Sequence, residues 1–155
     1  MTTAKINAGS RTQLSGAAAA LNSLANGTYV SAGTITFASS GKTPLTDKLE
    51  VAVTPGTVSG NKQLLVFAQQ SLDGTNFETG PTSGTTTTDE PDLTFVGVIP
   101  LGTNSTLQRK VFDLAAAFGG TLPFAAKIIV RNDSGAALAS SGNDVYYGEY
   151  TGDLT

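Results

Sequence analysis

The apolar positions of this chain change their spacing once, near residue 28. Ahead of that point Leu14, Ala17, Ala18, Leu21 and Leu24 recur every three or four residues, the period of an amphipathic helix. Ser10-Arg11-Thr12-Gln13 has the form of a capping box, with Ser10 as N-cap and Gln13 at the third helical position. Asn26-Gly27 is a natural stop, because glycine takes the left-handed conformation past a helix end without steric cost. Gly16 interrupts the pattern near its start. The spacing therefore predicts an N-terminal helix within residues 1–27, with an extended arm that orders on assembly as the alternative. A short stripe of small apolar residues cannot stand alone in water, so it must lie on the domain or on another subunit.

From residue 28 the period becomes that of strands. Tyr29-Val30 and Ile35-Thr36-Phe37 flank Gly33, and Leu49-Glu50-Val51-Ala52-Val53 alternates with its apolar side chains at odd positions. Leu64-Leu65-Val66-Phe67-Ala68 is a continuous apolar run, as in a strand covered on both faces or in a sandwich core. Asp73-Gly74 then marks a tight turn. Residues 79–92 read as a long surface loop of Gly, Pro, Thr and acid. Further strands are predicted around Leu93–Ile99, Arg109–Leu114, Ala125–Arg131 and Asp144–Tyr150, with one helical turn or bend over Ala115–Gly120. Seven or eight strands spaced too closely for intervening helices predict an all-β, antiparallel β-sandwich, a jelly roll or Greek key, over residues 28–155.

Composition sharpens this picture by what it omits. The 155 residues contain no histidine and no cysteine. Those side chains supply most general bases, nucleophiles and transition-metal ligands near neutral pH. A Ser-His-Asp site, a cysteine nucleophile and the usual zinc sites are excluded, and no phosphate-binding glycine motif follows a strand. The expectation is a protein that is not an enzyme and carries no cofactor. Charged residues make up 14%, well below the roughly one quarter usual in globular domains. The polar surface is then Thr, Ser, Asn, Gln and Gly, which suits packing against copies or partners because few charges need desolvating.

The charge is uneven. Residues 1–62 carry five basic against two acidic side chains, and residues 63–155 carry four against ten. The dispersed cations and net charge of −3 offer no footprint for nucleic acid. No stretch reaches the roughly 18 apolar residues of a membrane span. The start, Met1 to Lys5, has no apolar run behind it, so no secretory leader is expected.

Two features could carry chemistry. Asp89, Glu90 and Asp92 form the one acidic cluster, which could be a glycosidase-like carboxylate pair or a calcium loop. A solvated acidic loop is the simpler reading. Tyr146, Tyr147 and Tyr150 share a predicted strand, with Tyr146 and Tyr150 on one face and Tyr147 on the other. Tyrosine suits interfaces. The residues expected to make contacts are Arg11, Leu14, Leu21 and Leu24 of the N-terminal segment and Tyr147 of the last strand.

Three stretches carry a resemblance: Ser71-Leu72-Asp73-Gly74-Thr75-Asn76-Phe77-Glu78, Gly119-Gly120-Thr121-Leu122-Pro123 and Arg131-Asn132-Asp133-Ser134-Gly135-Ala136-Ala137-Leu138. Together they resemble small structural proteins from the virion gene clusters of tailed bacteriophages, several of which are similar to capsid decoration, or cement, proteins with a jelly-roll fold. The resemblance covers most of residues 45–150. It implies a homo-oligomer, dimer or trimer, made in the host cytoplasm and bound to the outside of an icosahedral head. There it would bridge major capsid subunits at two-fold or three-fold axes. It carries over no catalytic or binding residues. On this reading, deleting residues 1–27 would leave a folded domain that no longer attaches to heads. The alternative is a carbohydrate-binding or adaptor module of a phage tail or fibre.

Overall fold

A computed structural model describes residues 4–37, 43–87 and 92–154. In chain order its elements are β1 (Ala4–Ala8), β2 (Thr12–Gln13), α1 (Ala17–Leu21), β3 (Tyr29–Thr36), β4 (Thr43–Val53), β5 (Gln63–Ser71) and β6 (Ser83–Thr86). They continue with β7 (Thr94–Pro100), β8 (Gln108–Asp113), α2 (Leu114–Ala117), β9 (Ala125–Asp133) and β10 (Asp144–Leu154). One sheet runs β1-β10-β4-β8, with β2 also on β10, and the other runs β6-β3-β9-β5-β7. All of these pairings are antiparallel.

The pairings show how the chain is wound. β1 pairs β10, β3 pairs β9, β4 pairs β8 and β5 pairs β7. The chain is thus one long hairpin with its tip between β5 and β7. Folding that ribbon over so that β4 meets β10 and β5 meets β9 makes the two sheets. This is the jelly-roll winding.

Side chains of period two meet between the sheets. Leu49, Val51 and Val53 from β4 face Leu64, Val66 and Ala68 from β5, with Ile128 and Val130 from β9 and Val145 from β10, all buried in one cluster. The apolar run of β5 is covered on both sides. Phe67 points away from the core and packs on a smaller cluster of Tyr29, Leu93 and Ile129. The two open flanks of the sandwich are sealed differently. α1 packs against β3 and β10 on one side. On the other, the Phe112 ring lies so close to Gly97 that a Cβ there would stand 2.5 Å from it.

The N-terminal segment departs from its predicted form. The expected capping box is instead extended chain: Thr12 and Gln13 pair with Tyr147 and Tyr146 of β10, and the Leu14 amide donates to the Val145 carbonyl at 2.8 Å. The helix is only Ala17–Leu21, capped by Gly16 at φ 84 with no side-chain cap. Gly16 takes a conformation that a helix interior does not use, so the helix begins after it. The stripe itself is real, but its partner is the molecule's own core. Leu14, Leu21 and Leu24 are 3%, 0% and 4% exposed, within the main cluster.

Two buried asparagines tie this segment down. Asn132 Nδ2 donates to the Leu24 and Ala136 carbonyls at 2.8 Å each, and its Oδ1 accepts from the Ser134 amide at 3.1 Å. Asn143 Nδ2 donates to Asn22 Oδ1 at 2.9 Å, and its Oδ1 accepts from the Thr54 amide at 2.8 Å. Residues 4–27 are therefore woven into the sandwich as strand, plug and tether. The predicted loop at 79–92 also contains a strand, β6, which pairs with Tyr29 and Val30 at the sheet edge. Its Ser-Gly-Thr-Thr sequence has no apolar alternation to announce it.

Candidate interaction surface

The outward face of the first sheet gathers a group of charged and aromatic side chains. Gln13, Tyr146, Glu50 and Val111 sit side by side across four strands. The next row is Gly148, Lys48 and Asp113. Residues directly opposite on antiparallel strands share a face, so register alone brings these groups together.

Glu50 is the hub. Arg11 grips it as a fork, with Nε to Oε2 at 2.9 Å and Nη2 to Oε1 at 2.8 Å, and Arg109 Nε lies 3.2 Å from Oε1. The Arg11 hydrogen bonds hold the Glu50 carboxyl below its ordinary range, against the opposing effect of burial. The Arg11 guanidinium also lies 3.2 Å from the centroid of the Tyr146 ring. A planar cation thus has a carboxylate at its edge and an aromatic ring at its face, an arrangement that lysine would not reproduce.

A second ionic group stands beside it. Asp113 caps α2 by accepting from the Ala116 amide at 3.1 Å, takes the Thr46 hydroxyl at 2.7 Å and pairs with Lys48. The Lys48 hydrogen bond, then that of Thr46, bring its carboxyl down to about 2.

Between Tyr146 and Tyr150 the strand carries Gly148, whose missing side chain leaves the floor open: a Cβ there would meet only the Ser10 carbonyl at 4.0 Å. The result is a groove of about 240 Å³ lined by Arg11, Glu50, Tyr146 and Tyr150, with Val111 at its rim. Val111 is 57% exposed on edge strand β8.

Of the five residues expected to make contacts, Arg11 lies on this face. Leu14, Leu21 and Leu24 are consumed by the core, and Tyr147 points to the inner side, where it packs against that core. Tyr146 and Tyr150 lie on the outward face together, as their spacing predicts. Glu50, Arg109 and Val111 were not singled out from sequence. Only the register of β10, β4 and β8 brings them beside Arg11.

Other sequence features resolve locally. Asp73 Oδ1 accepts from the Thr75 and Asn76 amides at 2.8 Å each, so Asp73-Gly74-Thr75-Asn76 is a self-bonded turn. Those amide bonds hold the Asp73 carboxyl below its usual range. The turn leaves Leu72 90% exposed. Asp89 and Glu90 lie outside the described residues. Two of the rings considered for sugar stacking carry a cation: Lys127 Nζ lies 4.2 Å from the Phe77 centroid, and Arg11 covers Tyr146. Among the described residues no helix is long and apolar enough to cross a membrane. Compared with family models, curated proteins and solved structures, the chain matches none.

Proposed function

We propose that this chain is a non-enzymatic structural binding protein, a capsid decoration protein that lays the outer face of its first sheet on major capsid subunits at the virion exterior. The observation that carries the reading is the Arg11–Glu50–Tyr146 groove. Arginine and tyrosine are the side chains enriched in energetically dominant interface contacts. Here they are fixed before any partner arrives, because Glu50 holds both arginines and Tyr146 stacks on one of them. Charges already paired need not find new partners on docking, and side chains already ordered lose little entropy. The low charge density of the whole chain and the resemblance of its turn motifs to phage cement proteins support the same reading. On a repeating lattice, modest contacts of this kind multiply through multivalency within a homo-oligomer.

The test is co-sedimentation of purified protein with undecorated heads from the phage that encodes it. Wild type pellets with heads, while Arg11→Ala and Tyr150→Ala weaken binding by about tenfold or more. Their circular dichroism remains that of wild type. Wild-type protein that stays in the supernatant would remove the decoration reading. Variants that bind normally would move the contact to another face.

A further inference from the structure

The first sheet ends on β8. Its order puts β4 on one side of that strand and, among the described residues, no strand on the other. A free edge presents a row of backbone N–H and C=O groups, a template for another strand. Proteins blunt such edges with bulges, proline, very short strands or charge. β8 has no proline, and its register with β4 runs from Lys48↔Asp113 to Val53↔Gln108 without a break. Arg109, Lys110 and Val111 are exposed in succession, so the strand is open on both faces. Charge is the one blunting device left, and what it forbids depends on register.

A two-fold axis normal to the sheet would pair β8 antiparallel with β8 of a second copy, outward side chains opposite outward ones. Such an axis passes through a residue. At Arg109 or Lys110 it sets two cations across from each other, and at Asp113 two anions, which repel. At Gln108 the strands overlap at one residue, and at Phe112 the pairing runs into α2. At Val111 every pair is compatible. Val111, 57% exposed, meets its own copy. Arg109 stands opposite Asp113 of the second copy. Both have room for a further partner: Arg109 reaches Glu50 through Nε yet its side chain is 56% exposed, and that of Asp113 is 35% exposed. Lys110 stands opposite Phe112 of the second copy, and its Nζ already lies 5.6 Å from the centroid of its own Phe112 ring.

We infer that β8 is the interface of a homodimer, paired antiparallel with β8 of a second copy about a two-fold axis at Val111. The first sheet then runs on through both copies. Their Arg11–Tyr146 grooves share one outer face, with the two β10 strands about 24 Å apart at about 4.8 Å per strand. The dimer stands whether or not that face meets a capsid.

The test is the mass of the full-length protein in solution, a readout separate from binding to heads. Residues 109–113 of each copy make a small interface of the weak class. Sedimentation velocity therefore shows a shift from 15.7 kDa toward twice that mass as concentration rises to about 1 mM. Arg109→Ala removes the ion pair twice by symmetry and raises the dissociation constant about tenfold. The chain has no cysteine, so a single introduced thiol reports the register. Val111→Cys gives a disulfide-linked dimer on mild oxidation, because facing Cα atoms lie about 4.5–5.5 Å apart, within disulfide reach. Lys110→Cys does not, since its two copies lie about 8 Å apart in this register, past the roughly 7 Å limit. A wild-type chain that stays monomeric at about 1 mM, or that forms a trimer, overturns the inference. So does Arg109→Ala dimerising like wild type, Val111→Cys failing to cross-link, or Lys110→Cys cross-linking as well.

Discussion

Asn132 shows what a single buried polar side chain does here. It is 0% exposed, and its amide joins the Leu24 carbonyl, 108 residues away in sequence, to its own turn at Ser134 and Ala136. Replacing it with alanine opens a void, leaves the Ser134 amide without its acceptor and takes one donor from each carbonyl, which keep the Leu138 amide and the Ser134 hydroxyl respectively. A loss of about 2–4 kcal/mol follows, read as a fall in the denaturant midpoint with an unchanged slope. Asp113 makes a prediction with a direction in pH. Its carboxyl is held near 2 by Lys48 and Thr46, below the unfolded value of about 3.9. It therefore binds fewer protons folded than unfolded. Its stabilisation is full above about pH 4 and is lost as pH falls through about 2. Asp113→Asn should melt below wild type at pH 6, by about 1 kcal/mol for the weakened cap and pair, and the gap should close by pH 2. A gap that persists at pH 2 would show that the charge is not what matters. At this scale the sequence is legible where bonds are short in range. The Asp73 turn reads directly because its donors are two and three residues away. Asn132 and the Arg11–Glu50 fork do not, because their partners are set by register.

At the scale of elements, period-two patterns survived folding and the period-three-to-four pattern survived only in part. Leu49, Val51 and Val53 point inward as their alternation requires. Residues 10–13, by contrast, carry a helix-start signal worth about 1 kcal/mol, and a short isolated helix is marginal in water. Pairing with β10 offers the backbone a ladder and Leu14 a place in the core, so the strand wins. β2 and β6 were hidden because each is a short strand without apolar alternation, and β1 because its alternation, Ala4, Ile6 and Ala8, spans only five residues with alanine at both ends. The bend that lets residues 14 and 15 enter rests on Gly33, at φ +125 beside a register shift in β3. A Cβ at that position would stand 2.8 Å from Leu14 Cγ and 2.9 Å from the Ser15 carbonyl. Gly33→Ala combines positive-φ strain with a backbone clash, so a loss of about 2–3 kcal/mol is expected. Gly148→Ala, with nothing nearer than 4.0 Å, has no such clash. Parallel thermal melts of the two variants check the contrast, and equal melting points would contradict it.

For the whole molecule the question is whether residues 1–27 form a detachable arm. Their apolar stripe and basic charge invite that reading, and a decoration protein that threads an arm into a neighbour would use it. The winding of the jelly roll argues otherwise. β1 and β2 are outer partners of β10, and α1 closes the flank between β3 and β10. Leu14, Ala17, Leu21 and Leu24 all belong to the one main core. Removing three buried leucines from a core costs about 2–5 kcal/mol each, together about the size of the roughly 5–15 kcal/mol that holds a typical domain folded. Deletion of residues 1–27 should therefore abolish cooperative unfolding, with loss of near-ultraviolet dichroism and exposure of dye-binding surface, rather than leave a folded but non-attaching domain. Leu21→Ala alone, at 0% exposure, should lower stability by about 2–5 kcal/mol while the fold persists. If the truncated chain still melts in one sharp transition near the wild-type temperature, the plug contributes little and the arm reading returns. If it does not, the contact proposed above falls on surfaces that remain when the core is complete, and the groove beside Arg11 and Tyr146 is such a surface, its arginine already held by Glu50 and stacked on the tyrosine ring.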